Sequence, residues 1–163
     1  MARVHLLERT QRVPLDVAET FAFYSDVGNL ERITPPWLHF RILDPRPDAL
    51  TAGAHLQYSL VLHRFPIRWI TEIGEWEPPR RFVDFQSRGP YALWEHTHTF
   101  EPVEGGTELK DRIRYAIPYG PLGALAHAAF VARDLRRIFD YRRDAVADLL
   151  RPRARSASSE ASA

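Results

Sequence analysis

The sequence contains no cysteine, and it has a single lysine, Lys110, among its 163 residues. The absence of cysteine excludes a disulfide framework, thiolate ligands for zinc or an iron–sulfur cluster, and a cysteine nucleophile. A Schiff-base mechanism would have to use Lys110. Basic and acidic side chains nearly cancel, 22 against 21, which argues against attraction of the whole molecule to nucleic acid. A chain of this length can bury a core without crosslinks.

Long apolar segments are missing as well. The first residues, MARVHLLERTQRV, are charged and lack the apolar segment of a signal peptide. No run approaches the roughly 20 apolar residues of a membrane-spanning helix. The G-x-S-x-G, Walker and G-x-G-x-x-G motifs are also absent. We therefore expect a cytoplasmic protein that uses no cofactor and binds no nucleic acid.

The first part of the chain combines a strand with two short helices. Residues 4–13 predict a strand. Asp16 and Glu19 then have the spacing of a capping box, which begins a helix. Asp26 begins a second short helix, which the prolines after Thr34 end because proline disfavours the helical conformation of the residue before it.

Period-two alternation of apolar and polar residues follows and predicts six strands. They cover residues 38–42, 56–62, 67–75, 82–87, 91–101 and 107–117. Strands this close together, joined by turns rich in proline and glycine, are typical of an antiparallel meander.

The last element is a long amphipathic helix from Leu122 to Leu150, which Pro152 is expected to end. Its apolar stripe is formed by Leu122, Ala126, Ala129, Phe130, Ile138, Phe139, Val146 and Leu149. We assign 1–150 to one domain and 151–163 to a disordered polar tail. Arginines on this helix, Arg142 and Arg143 among them, alternate with aspartates and predict a solvated face. The arginines outnumber the aspartates, which is compatible with a transient contact to a membrane surface.

These elements predict an α+β fold in which a curved antiparallel sheet of six or seven strands wraps around the long helix. Two short helices follow the first strand. Such a sheet has more inner wall than one helix fills, so a cavity is expected between them.

Several stretches of the sequence resemble, in the same order, the START-related helix-grip superfamily (SRPBCC), which includes polyketide cyclases/dehydrases and lipid-transport proteins. They are PLDVAETFAFYSDVGNL at 14–30, ITPPW at 33–37, GEWEPPRRFVD at 74–84, GPYALWEHTHTF at 89–100, GGTELKD at 105–111 and YGPLG at 119–123. The resemblance covers about residues 3–150 and is closest to bacterial members without a known ligand. It implies the helix-grip fold and leaves lipid carriers, hormone receptors and aromatic polyketide cyclases as possible functions.

His96 and His98 are the strongest candidates for a functional role such as metal binding, ligand binding or proton transfer. On a strand they share one face with Trp94 and Phe100, and we assign that face to the interior. Two such histidines can bind zinc only with a third ligand, for which Asp84 or Asp111 is available. The same pair could bind a ligand, transfer protons or form a polar wall, and we assign no metal.

Asp111 shares the inward face of its strand with Leu109 and Ile113, while Lys110 points to solvent. A buried carboxylate needs a partner, and either histidine is a plausible one across the hairpin. His96, His98 and Asp111 are therefore the catalytic candidates, with a structural polar pair as the alternative.

For two strands, the alternation does not decide which face points inward. Asp84 and Gln86 face the cavity if Phe82 packs inward, and Trp69 faces it if Arg68 meets water. Aromatic side chains supply the remaining walls. The predicted ligand-binding residues are Tyr58, Trp69, Asp84, Gln86, Trp94, His96, His98, Asp111, Tyr115 and Phe130.

The sequence favours a protein that binds a small hydrophobic or amphipathic ligand, such as a lipid, an isoprenoid or an aromatic polyketide. The first alternative is a cyclase/dehydrase-type enzyme that uses the same histidines and aspartates as acids and bases. The second is an interaction module, which an apolar outer sheet face would favour. The oligomeric state is left open.

Overall fold

Seven antiparallel strands form one curved sheet in the computed structural model, which describes residues 2–47 and 49–160, with side chains up to residue 151. The strands are β1 (Val4–Val13), β2 (Arg41–Ile42), β3 (His55–Leu62), β4 (Phe65–Glu77), β5 (Arg81–Arg88), β6 (Leu93–Val103) and β7 (Gly106–Ala116). Their order in the sheet is β1-β7-β6-β5-β4-β3-β2. The predicted meander is therefore confirmed, and β1 closes it against β7.

The helical elements lie at the two ends of the described chain. They are α1 (Val17–Ser25), α2 (Val27–Arg32), a 3-10 turn (Pro36–Leu38), α3 (Gly120–Ala126), a π-helical turn (His127–Val131) and α4 (Ala132–Glu160). Asp16 and Asp26 each accept a hydrogen bond from a first-turn amide at 2.8 Å, so both predicted helix starts are confirmed. Within the described residues, no helix is both long enough and apolar enough to cross a membrane.

Two predicted element boundaries are wrong. The strand expected at 38–42 shrinks to two residues, because Pro36 starts a 3-10 turn and His39 takes a left-handed conformation (φ 44°). The last helix does not end at Pro152 but continues to Glu160. A proline within a helix removes one backbone hydrogen bond without removing the others. The boundary between domain and tail stays a prediction, and 161–163 lie outside the described residues.

A β-bulge in β4 determines which side chains of β4 and β5 face inward. The pairing with β5 shifts between Ile73 and Glu75, which makes Gly74 the extra residue. A Cβ at Gly74 would lie 2.3 Å from the Phe85 ring, so any other residue at the bulge would have to displace that ring. Because the bulge breaks the alternation, both Ile73 and Trp76 pack inward.

The inward stripe of the last helix also differs from the predicted one. Leu122 is 73% exposed and Phe130 is 37% exposed. The π-helical turn adds one residue to the turn, which rotates the following side chains by about 100° relative to the preceding ones. The observed stripe consists of Leu135, Phe139, Val146 and Leu150, which are all buried.

Candidate functional site

An apolar cavity lies between the sheet, α1–α2 and α4. Its empty space, including the open mouth, is about 1240 Å³. Apolar and aromatic side chains provide most of its wall, with a small group of polar residues. The apolar part is lined by Phe23, Val27, Leu30, Ile33, Leu38, Phe40, Leu50, Leu56, Leu60, Leu62, Ile67, Ile73, Phe82, Leu135, Ile138 and Phe139. A mostly apolar and aromatic wall with a few polar groups is typical of sites for small organic molecules.

Six of the ten predicted ligand-binding residues lie in this wall. They are Tyr58, Trp69, Asp84, Trp94, His96 and His98. The two open strand faces are thereby resolved, since Trp69 and Asp84 both point inward. Val83, on the other face of β5, is buried as well.

Gln86 and Phe130 do not line the cavity. Gln86 donates a hydrogen bond to the Tyr91 carbonyl at 2.8 Å and accepts one from its amide at 3.2 Å, so it holds the β5–β6 connection. Phe130 belongs to the π-helical turn and contacts the His63 ring on the β3–β4 turn. Phe130 is 37% exposed and points away from the cavity.

Asp111 and Tyr115 lie next to the cavity wall rather than in it. Asp111 is 7% exposed and stands behind the two histidines. Tyr115 is held by a 2.9 Å hydrogen bond between its hydroxyl and His127 Nε2. The predicted pairing of Asp111 with a histidine is confirmed, because His96 Nε2 lies 2.9 Å from Asp111 Oδ1.

Asp84, His96, His98 and Asp111 form one buried group, the His–Asp cluster. Each ring lies between both carboxylates. Asp84 Oδ2 is 3.1 Å from His98 Nε2 and 3.5 Å from His96 Nδ1. Asp111 Oδ1 is also 2.9 Å from His98 Nδ1, at an angle unsuitable for a hydrogen bond. The rings overlap, with centroids 3.8 Å apart.

Strand register brings the cluster together. His96 stands opposite Asp84 on β5, and His98 stands opposite Asp111 on β7. Residues two apart on a strand share a face, so the two opposing pairs become neighbours. The 3.1 Å and 2.9 Å hydrogen bonds run along the diagonals of this arrangement.

The cluster shifts the pKa values of its two rings in opposite directions. Burial and the charge of His98 lower the pKa of His96. Burial also lowers the pKa of His98, but its contacts with Asp111 and Asp84 outweigh burial and raise its pKa above 6.5.

Both carboxyl groups of the cluster are charged. Burial by itself raises the pKa of Asp84 and of Asp111, but the two imidazoles outweigh burial and lower both pKa values. Two carboxylates therefore face two imidazoles, of which His98 is the more basic.

Asp84, His96 and His98 each offer one ligand atom, and these atoms lie within 4.8 Å of one another. Two histidines and a carboxylate are a donor set that binds several transition metals. However, the rings overlap with only 38° between their planes, whereas a shared cation needs both in-plane lone pairs to point at it. The overlap favours a hydrogen-bonded pair over a chelating pair.

The polar atoms of two aromatic wall residues are satisfied by one threonine. Thr71 Oγ1 accepts a hydrogen bond from Trp69 Nε1 at 3.1 Å and lies 3.2 Å from the Tyr58 hydroxyl. Tyr58 and Trp69 stack at 5.8 Å, and Trp94 meets Trp69 edge-on. These residues therefore present their rings to the cavity.

Tyr24 and Arg142 also line the cavity, and the sequence interpretation missed both. The prediction of a solvated position for Arg142 is wrong. The spacing Leu135, Phe139, Arg142, Val146 is that of one helical face and could have indicated it.

The comparisons with known proteins agree with this geometry. Residues 13–141 match the family model described as polyketide cyclase/dehydrase and lipid transport. A search of curated proteins finds no match.

Solved structures share the fold at low sequence identity. Protein CV1439 from Chromobacterium violaceum aligns with a TM-score of 0.70 at 12% identity, over 89% of this chain and 96% of that one. Protein Ms6760 from Mycobacterium smegmatis aligns with a TM-score of 0.66 at 18% identity, over 89% of this chain and 90% of that one. A third structure is a point mutant of norcoclaurine synthase from Thalictrum flavum in complex with a transition-state analogue. It aligns with a TM-score of 0.66 at 12% identity, over 92% of this chain and 96% of that one.

Proposed function

Because the chain belongs to the polyketide cyclase/dehydrase and lipid transport family, we propose that it binds a small hydrophobic or amphipathic ligand in the cavity between sheet and α4. The observation that carries this proposal is the apolar and aromatic lining of the cavity. Burying an apolar ligand there removes its surface from water, which favours binding. Lipids, isoprenoids and aromatic polyketide-like molecules are the ligand classes that suit the wall.

Native mass spectrometry of the purified full chain tests this function. We expect an adduct with the mass of a small organic molecule, which organic extraction removes and which chromatography then assigns to a chemical class. A thermal-shift panel of fatty acids, isoprenoids, quinones and aromatic polyketides provides an independent measurement. A chain that carries no adduct and that no member of the panel stabilises would refute the proposal.

The second candidate function is acid–base catalysis of a cyclase/dehydrase type, and the His–Asp cluster favours it. Asp84, His96 and His98 line the cavity, and the environment separates the pKa values of the two rings. Two imidazoles whose pKa values are shifted apart are suited to act as a base and an acid in one site. In an aldol closure or a water loss, His96 would accept a proton from substrate carbon, and His98 would donate one to the departing or developing oxygen.

Turnover separates the two candidates. If the protein is an enzyme, His98→Gln should remove most of the rate with a substrate from the adduct's chemical class while its Kd changes little. Equal losses of rate and affinity would identify the cluster as part of a binding wall. Norcoclaurine synthase, which shares the fold at 12% identity, was solved with a transition-state analogue, so this fold is compatible with an enzyme.

A further inference from the structure

Besides His98 Nδ1, which faces Asp111, two buried polar atoms of the cavity wall have no hydrogen-bond partner among the described residues. The Tyr24 hydroxyl and Arg142 Nε are both buried, and neither forms a hydrogen bond with the described part of the chain. Buried polar groups in folded proteins are almost always paired, so unpaired ones in a cavity point to a ligand that pairs them.

Arg142 is held in the wall, and its charge has no carboxylate partner. It lies on the inward stripe of α4, with its guanidinium carbon 5.2 Å from the centre of the Phe139 ring. Its neighbour Arg143 points outward, with its guanidinium group 2.8 Å from Asp144 and 4.0 Å from Asp140. Arg142 forms no ion pair with any described carboxylate, although other arginines of the same helix do.

Tyr24 is an unpartnered donor at a fixed position. It is 8% exposed, and Phe23, Phe100 and His98 surround its ring at 5.5–5.9 Å. Burial, followed by the charge of Asp111, raises the pKa of Tyr24, while Arg142 lowers it in part. The Tyr24 hydroxyl therefore keeps its proton. The positive charge of the Arg142 guanidinium group is close enough to interact with it.

We propose that the cavity binds an organic acid with an apolar body, whose carboxylate accepts hydrogen bonds from Arg142 and Tyr24. This inference rests on the proposed function, because the apolar body would occupy the cavity described above. A carboxylate offers several acceptor sites, which matches two donors and one positive charge.

The other charges of the cavity are compatible with an acidic ligand. Asp84 is the carboxylate in the same wall, and it is already paired with His98 at 3.1 Å. Arg142 is the cation of the wall, and no described carboxylate lies within ion-pair distance of it, although its charge contributes to lowering the pKa of Asp84. An anion at Arg142 would gain a charge-assisted hydrogen bond without displacing an existing pair, whereas an amine there would meet a like charge.

Matched probes that differ only in the head group test the inference. We would measure binding of dodecanoic acid and dodecan-1-ol to the full chain by displacement of a fluorescent apolar probe, and repeat the comparison with 2-naphthoic acid and 2-naphthalenemethanol. We expect the acid of at least one pair to bind about 10–100-fold more tightly than its alcohol, the range for a charge-assisted pair. The better pair distinguishes an aliphatic from an aromatic ligand.

Variants then assign the preference to the two residues. Arg142→Met should abolish the acid preference and leave the alcohol's Kd within about threefold, while Arg142→Lys should retain part of it. Tyr24→Phe keeps the ring and should weaken only the acid, by about 5–10-fold. Arg143→Met, which removes the adjacent outward arginine, is the matched control and should change neither affinity.

The results that would overturn the inference differ from those that would overturn the proposed function. Equal affinity of acid and alcohol in both pairs, or an equal loss of both in Arg142→Met, would refute the acid site while the binding cavity stands. Failure of all four probes to bind, together with an absent native adduct, would refute both.

Discussion

Asp84 Oδ2 lies 3.1 Å from His98 Nε2, although the strand register places His96, and not His98, opposite Asp84. This diagonal contact ties β5 to the next register position of β6. Together with the contact from His96 to Asp111, it links three strands through one buried polar group. The group is charged, so its electrostatics can be tested residue by residue.

Asp84→Asn should lower the pKa of the His98 imidazole. The carboxylate contact is one of the interactions that raise this pKa against the effect of burial, and an amide removes its charge. The measurement is an NMR titration of the His98 ring in the wild type and the variant.

Asp134→Asn is the matched control for this titration. Asp134 contacts a different histidine, His63, at the protein surface. The Asp134→Asn variant should therefore leave the pKa of the His98 ring unchanged. An unaltered His98 pKa in Asp84→Asn would show that the 3.1 Å contact does not form in solution.

Asp111→Ala should destabilise the fold by about 3–5 kcal/mol, because it removes the buried carboxylate that contacts both His96 and His98. Asp111→Asn, which keeps a hydrogen-bond acceptor, should cost about 1–3 kcal/mol. Urea unfolding measures both. Asp148→Ala, at an exposed position of α4, should stay within about 0.5 kcal/mol of the wild type. Equal costs at the two positions would contradict a charged role for Asp111.

His98 should make the wild type lose stability as the pH rises above 6.5. Its folded pKa is raised above the unfolded value of 6.5, so its contribution is fully present below pH 6.5 and disappears as the pH passes through the folded pKa. His96 has the opposite effect on stability. Its pKa is lowered in the folded state, so it reduces the free energy of unfolding below pH 6.5.

The difference between the wild type and His98→Gln isolates this contribution. Unfolding free energies would be measured by urea titration at several pH values between 6 and 9. The stability advantage of the wild type should shrink with rising pH across this range. A constant difference would mean that His98 does not carry the extra proton.

Trp94→Ala should weaken binding of the apolar probes by about 10-fold or more, because the ring forms part of the cavity wall. Trp37→Ala is the control with the same change of residue. Trp37 packs on Tyr141 and under the Arg137 guanidinium, outside the cavity. The displacement measurement should show almost no change for Trp37→Ala. Similar losses in both variants would indicate a general loss of structure instead of a lost contact.

Period-two patterns predicted most of the sheet and the inner face of the site. The alternation around His96 and His98, and that around Asp111, placed these residues inward, as the structure has them. Hairpin connectivity then made Asp111 a neighbour of the histidines. These inferences succeed because strand register follows from local alternation and short turns.

The sequence could not reveal features that depend on a single inserted residue. The bulge at Gly74 and the π-helical turn at 127–131 each change the phase of an element without a compositional signal. The first makes both Ile73 and Trp76 face inward. The second changes the phase between the residues before the turn and those of α4. Helix and strand periodicities assume a constant phase, so they fail at such points.

Paired alanine substitutions on the last helix test its phase directly. Phe139→Ala should destabilise the fold by about 3–5 kcal/mol, because Phe139 is 4% exposed and contacts the His96 ring. Phe130→Ala removes a ring of the same size that is 37% exposed, and it should cost less than about 1 kcal/mol. Urea unfolding of the two variants gives both values. If Phe130→Ala proved as costly as Phe139→Ala, the Phe130 ring would be buried in solution, which would contradict the outward position of the π-helical turn.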